Sequence, residues 1–214
     1  MPAKSWIVDT DETLREVQGW LPTYAALCIS LLVFFALLCS MAAPDAHKEI
    51  SQARMRKQII AMQALAFNDI RVFIAQNDLA ADIEAVLQEA AITLRLSEAM
   101  LFTPGAEQIL PTGFHTLNHL KELFLTQNQQ TISIRGHTDN SLPLPGARFK
   151  DNWELSALRA MNIVRYLLTQ GIESWRLTAT GLGDFEPLFP NTTEYNRAQN
   201  RRIEFVLERR LGKE

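Results

Sequence analysis

The stretch TISIRGHTDN at residues 131–140, followed by NWELSALRAMNIVRYLLT at residues 152–169, decides how the rest of the chain is read. Thr131 to His137 alternates around Ile132 and Ile134, the period-two pattern of a half-buried strand. Asn152 to Thr169 follows the helical period instead, with Ala157, Ala160, Met161, Val164 and Leu168 as the expected buried stripe. Working outward, Thr112 to Leu125 predicts a second helix with Leu117, Leu120 and Leu123 or Phe124 turned inward. Ile83 to Leu87, Ala91 to Leu96, Trp175 to Thr180 and Arg202 to Glu208 read as strands. Strands interleaved with helices predict an α/β sandwich, a small sheet with helices on one face.

Further upstream the character changes. No charged residue lies between Glu16 and Asp45, and LPTYAALCISLLVFFALLCSMAA at residues 21–43 spans about 35 Å as a helix, enough for one tilted membrane pass. Trp20 and Tyr24 suit the interfacial aromatic belt, and Pro22 is expected in the first turn, where a missing N–H costs little. A cleaved signal peptide is the alternative, with Ser40-Met41-Ala42 as the cleavage site. The preceding segment speaks against it, setting Asp9, Asp11, Glu12 and Glu16 against Lys4 and Arg15 where a signal peptide is basic. Cys28 and Cys39 are eleven positions apart on one helix and cannot meet in an intrachain disulfide. Residues 46–76 lack Pro and Gly and predict an amphipathic helix through Ile50, Ala53, Ile59, Met62, Leu65 and Ala66, either a plain stalk, a segment pairing with a second copy, or a plug on the membrane. The expected organisation is a short tail at 1–19, a transmembrane helix at 20–43, a helical stalk at 44–79 and a domain at 80–210.

Composition bounds the function. With 214 residues, 47% of them hydrophobic, and Lys+Arg 21 against Asp+Glu 24, the chain is too apolar to be disordered and too balanced in charge for a dedicated nucleic-acid binder. Among the four histidines, His115 and His119 stand at i, i+4 but lack the Glu of a zinc-protease helix, so they read as a solvated helix edge. Ser156 has no evident His partner, and neither a nucleophile elbow nor a phosphate-cradling loop is present. The sequence reads as a non-enzyme with no cofactor and no metal site.

Three polar runs carry the chemistry: Gly136-His137-Thr138-Asp139-Asn140 at a strand end, Asn152 to Ala160, and Asn196 to Arg202 before the last strand. Asn152, Ser156 and Arg159 fall at i, i+4 and i+7 on one helix face, and Asn152 suits the N-cap. If the helix start packs near the strand end, Asp139 and Arg159 suit a zwitterionic ligand, the carboxylate taking an ammonium and the guanidinium a carboxylate. Spacing alone leaves open a plain surface pair between them, worth about 0–1 kcal/mol.

Together these runs resemble the OmpA-like peptidoglycan-binding domain from about residue 80 to 209: Leu101-Phe102-Thr103-Pro104-Gly105-Ala106, the GHTD run, Asn152 with Leu155-Ser156 and Arg159-Ala160, and Asn200-Arg201-Arg202-Ile203-Glu204. The resemblance implies that Asp139 and Arg159 hold the diaminopimelate of the wall's stem peptide, with Asn152, Thr138 and Arg202 contributing. Asn152-Trp153-Glu154-Leu155-Ser156, and Trp20 followed by Thr23-Tyr24-Ala25-Ala26-Leu27, are similar to the MotB branch, which includes flagellar stator B subunits and the B subunit of the Zorya anti-phage system (ZorB). The short tail and compact stalk favour the Zorya-type subunit. That branch implies a homodimer surrounded by a pentameric MotA- or ZorA-like partner, with an ion path along the membrane helix at Thr23, Tyr24 and the position of Ala26. Where the branch carries an ion-bearing Asp this sequence has Ala26, and no other acid lies in the span, so ion-driven rotation is expected to be lost. Lys48, Arg54, Arg56 and Lys57 after the span favour a cytoplasmic C-terminus on charge alone. The resemblance instead implies a single-pass inner-membrane protein with its C-terminal domain in the periplasm.

Overall fold

The computed structural model describes residues 10–142 and 148–209, with side chains described for 19–40, 49–142 and 148–209. Residues 1–9 of the expected tail and residue 210 at the expected domain end lie outside the described residues. The chain falls into two compact units, Met1–Arg56 and Lys57–Glu214.

The first unit is helical. Helix α1 spans Thr10–Gln76 and carries its last turns into the second unit. Within it, Gly19–Ser40 is long and apolar enough to cross a membrane, with mean hydropathy 2.3 and none of it buried. Pro22 therefore sits inside the helix and not in its first turn, because the helix begins at Thr10, eleven residues before the apolar run that starts at Leu21.

The second unit is a five-stranded mixed sheet in the order β1-β2-β5-β3-β4, made of β1 (Ile83–Gln88), β2 (Ala91–Ser97), β3 (Gln130–His137), β4 (Leu177–Gly183) and β5 (Arg202–Arg209). The hairpin β1–β2 turns at Glu89, which takes a positive φ of 52°. Strands β3 and β4 run parallel, joined by helix α4 (Asn152–Thr169), whereas β5 lies antiparallel between β2 and β3. Helices α2 (Glu98–Leu101), α3 (Pro111–Thr126) and α5 (Glu194–Asn200) complete the unit. The expected α/β class and all five strands are present, with boundaries moved by one to three residues.

Ile92, Leu94, Ile132, Ile134, Phe205 and Leu207 form the apolar face of the sheet and are fully buried, against Leu117, Leu120 and Phe124 of α3 and Ile163 and Leu167 of α4. Two expected stripes are corrected. In α4 the buried line is Leu155, Ser156, Arg159, Ala160, Ile163, Val164 and Leu167, while Met161 and Leu168 stay exposed. The helix is rotated because two polar residues, Ser156 and Arg159, are themselves buried. In α1 the buried line is Gln63, Ala66, Ile70 and Ile74, while Ile50 and Leu65 are exposed. Gln63 is the reason: its side-chain amide donates to the carbonyls of Ala90 and Leu207 and accepts from Gln130, which ties this end of α1 to the sheet.

Candidate functional site

Two glycines set the site by letting α4 lie directly on the sheet. A Cβ on Gly136 of β3 would fall 2.3 Å from the carbonyl oxygen of Ser156, and one on Gly181 of β4 would fall 2.6 Å from the Ala157 nitrogen. The start of α4 is thereby pressed against the end of β3. Asp151, not Asn152, caps the helix: its carboxylate accepts from the Glu154 N–H at 2.8 Å, and Glu154 in return accepts from the Lys150 N–H at 2.7 Å. Asn152 is freed to donate to the carbonyls of Asp139 (3.0 Å) and Ser141 (2.9 Å), which fixes the loop after β3.

This arrangement brings Thr138, Asp139, Asn152 and Arg159 to the wall of one cavity of about 430 Å³. Asp139 is 5% exposed; one carboxylate oxygen accepts from Arg201 at 2.5 Å and the other from the Ser141 N–H at 2.9 Å. Burial works against its charge, but the bonds from Arg201 and Ser141 outweigh it and hold the carboxyl below its usual range. Arg159 is 1% exposed; it donates to Glu98 at 2.7 Å and to the Ala106 carbonyl at 2.8 Å, and it lies over the Phe102 ring at 5.3 Å. Burial lowers its pKa, and the Glu98 carboxylate opposes the shift. Thr138 gives its N–H to the Gly183 carbonyl, while its buried hydroxyl has no partner among the described residues.

Asp139 and Arg159 thus share a cavity without pairing with each other among the described ion pairs, because Arg201 and Glu98 hold them separately. Neither holder was expected from sequence. Arg201 also bonds Glu194 of α5 at 2.7 Å, so the Asn196 to Arg202 run reaches the cavity through Arg201. Arg202, expected as a contributor, does not line it. It belongs to the sheet's polar face, where it donates to Glu204 at 2.8 Å beside His137, since successive strand residues alternate sides. Burial disfavours the Glu204 charge, yet His137 and Arg202 together lower its pKa to about 2.

In the membrane-length segment, Tyr24 and Ala26 are exposed, and Tyr24 meets Trp20 edge to face at 6.2 Å. The Thr23 hydroxyl donates back to the Trp20 carbonyl at 2.6 Å. Exposed His115 and half-buried His119 stack at 5.4 Å, and no group of three metal-binding side chains occurs among the described residues.

Residues 101–201 match the OmpA family model. A solved structure described as a putative MotB like protein from Desulfovibrio vulgaris is 48% identical, covers 74% of this chain and 98% of that one, and superposes with a TM-score of 0.72. Protein YtxE of Bacillus subtilis is 29% identical over 89% of this chain and 88% of its own length. Motility protein B of Bacillus subtilis is 26% identical over 65% of this chain and 54% of its own length, so the chain spans about half of that relative.

Proposed function

The chain belongs to the MotB-like proteins of the OmpA family, and from that premise we propose that it fastens a membrane to the cell wall, its domain gripping the diaminopimelate of the peptidoglycan stem. The observation that supports this reading is the shared cavity of Asp139 and Arg159, each steadied by a neighbour and neither spent on the other. A ligand bearing an ammonium and a carboxylate meets side chains of both charges there, Asp139 and Arg159 among them, and the Thr138 hydroxyl, unpartnered among the described residues, is available to it. The role is binding and not catalysis. The length and hydropathy of Gly19–Ser40 support an anchor in the inner membrane, and a domain that grips the wall lies on the periplasmic side of it.

The finer reading is the B subunit of a Zorya-type motor in anti-phage defence, a homodimer inside a pentamer of a MotA- or ZorA-like protein. The Trp20 to Leu27 run supports a motor B subunit of either kind, and the compact stalk favours the Zorya type; a flagellar-type stator subunit is the alternative. A passive anchor without an ion path has its own support, namely Ala26 in place of a carboxylate that could take up and release a proton. In both readings the wall grip is the same. Sedimentation of the full chain with isolated peptidoglycan tests it: Asp139→Asn and Arg159→Ala should each leave the protein in the supernatant, and pelleting at the unaltered level would refute the assignment.

A further inference from the structure

His115 and His119 stand one turn apart on the side of α3 that looks away from the core, opposite the fully buried Leu117, Leu120 and Phe124. Neither ring lines the cavity of Asp139 and Arg159, and neither has a hydrogen bond or an ion pair among the described residues. What each ring meets is the other: the centroids are 5.4 Å apart and the planes 15° from parallel. Glu122 follows on the same face, one turn beyond His119, and is exposed. The helix beneath them is fixed at both ends. Pro111 opens it in the first turn, and Arg176 holds its other end by donating to the carbonyls of Phe124 at 2.9 Å and Gln127 at 2.8 Å. The backbone therefore sets the separation of the two histidines before any ligand arrives.

A neutral imidazole offers one ring nitrogen as a lone-pair donor, and two imidazoles one helical turn apart can share a cation. Around a tetrahedral ion about 2.0–2.1 Å from each nitrogen, two imidazole centroids lie about 5.2 Å apart, close to the spacing here. The rings have only to turn their nitrogens to a common point, about a soft torsion. We infer that His115 and His119 form a clamp for a borderline divalent cation such as Zn²⁺, Ni²⁺ or Cu²⁺, with water and the Glu122 carboxylate completing the shell. Imidazole selects this class over Mg²⁺ and Ca²⁺, which take oxygen ligands. A zinc-protease helix pairs two histidines at the same spacing but carries its general base between them, and His115-Thr116-Leu117-Asn118-His119 has none. The clamp binds without catalysing. It joins successive turns of α3, and because it exists only in the folded helix, the ion stabilises the domain.

Zinc chloride titrated into the full chain in detergent micelles, read by calorimetry and by thermal melts, tests this. Zinc should bind and raise the melting temperature. His115→Ala and His119→Ala should each weaken binding roughly tenfold or more and remove the thermal shift. Neither position is buried, so far-UV circular dichroism should be unchanged in both variants. His119→Ala combined with Lys121→His keeps the histidine count but turns the second ring off the face, and should not restore binding. Copper(II) in place of zinc should show two ring nitrogens in its electron paramagnetic resonance spectrum. No binding at millimolar zinc overturns the clamp, and so does binding of Mg²⁺ as tight as that of zinc. Equal zinc binding in His115→Ala overturns it as well, since the ion would then sit on the thiols or the other histidines.

Discussion

Replacing Glu204 by Gln should cost the domain about 3 kcal/mol at neutral pH and almost nothing near pH 2. The carboxyl is 7% exposed on the central strand, with Arg202 at 2.8 Å, Arg95 at 3.2 Å and His137 at 3.6 Å. His137 and Arg202 lower its pKa from 4.5 to about 2 despite the opposing effect of burial. Each pKa unit is worth 1.36 kcal/mol, which gives about 3 kcal/mol for this gap. The sign follows from linkage: a depressed folded-state pKa stabilises at pH above the unfolded value, and the benefit drains away as pH falls from about 4.5 to about 2. Urea unfolding followed by near-UV circular dichroism between pH 2 and 7 measures it. The unaltered protein should lose stability across that window, and Glu204→Gln should flatten this part of the profile. Two parallel profiles would refute the reasoning, because the ion cluster would then add nothing beyond what the neutral amide supplies.

Gly136→Ala should lower the melting temperature or abolish folding, since its Cβ would sit 2.3 Å from a backbone oxygen of α4 that has no slack; overpacking of this kind costs about 1–3 kcal/mol or more, and thermal melts would read it. Gln63→Ala leaves Gln130 without its buried partner and frees the carbonyls of Ala90 and Leu207, so a loss of about 1–3 kcal/mol is expected in urea melts, with faster hydrogen exchange around Ile70 and Ile74. Ala26→Asp separates the two membrane readings: in cells with the neighbouring genes present it should restore a proton leak or defence if the chain is a motor subunit, and change neither if it is a passive anchor.

Much of the domain is legible in the sequence because its strands and helices each keep one period. Helix α4 begins and ends where its pattern does, and the spacing of Ser156 and Arg159 correctly puts them on one face. The phase of that helix is not legible. Rules that sort residues into apolar-in and polar-out turn Arg159 outward, whereas Glu98 and the Ala106 carbonyl, 61 and 53 residues away, supply what its burial requires. Gln63 misleads in the same way, drawing the end of α1 into the core through hydrogen bonds that no local pattern encodes. Among the neighbouring arginines, composition gives no means of telling Arg201 from Arg202. One faces the cavity and the other the polar side of the sheet, and the deciding fact is where β5 starts.

That strand has one more implication, for the order of events in the cell. Because β5 is hydrogen-bonded on one side to β2 and on the other to β3, a nascent chain that has not yet delivered residues 202–209 holds two separate half-sheets with open edges. Their union waits for the last strand to arrive, over a sequence separation of more than a hundred residues on the β2 side. Such a domain matures only once nearly all of it has been delivered, so a copy cut short before β5 would be left with exposed edges for proteases and would never complete its fold.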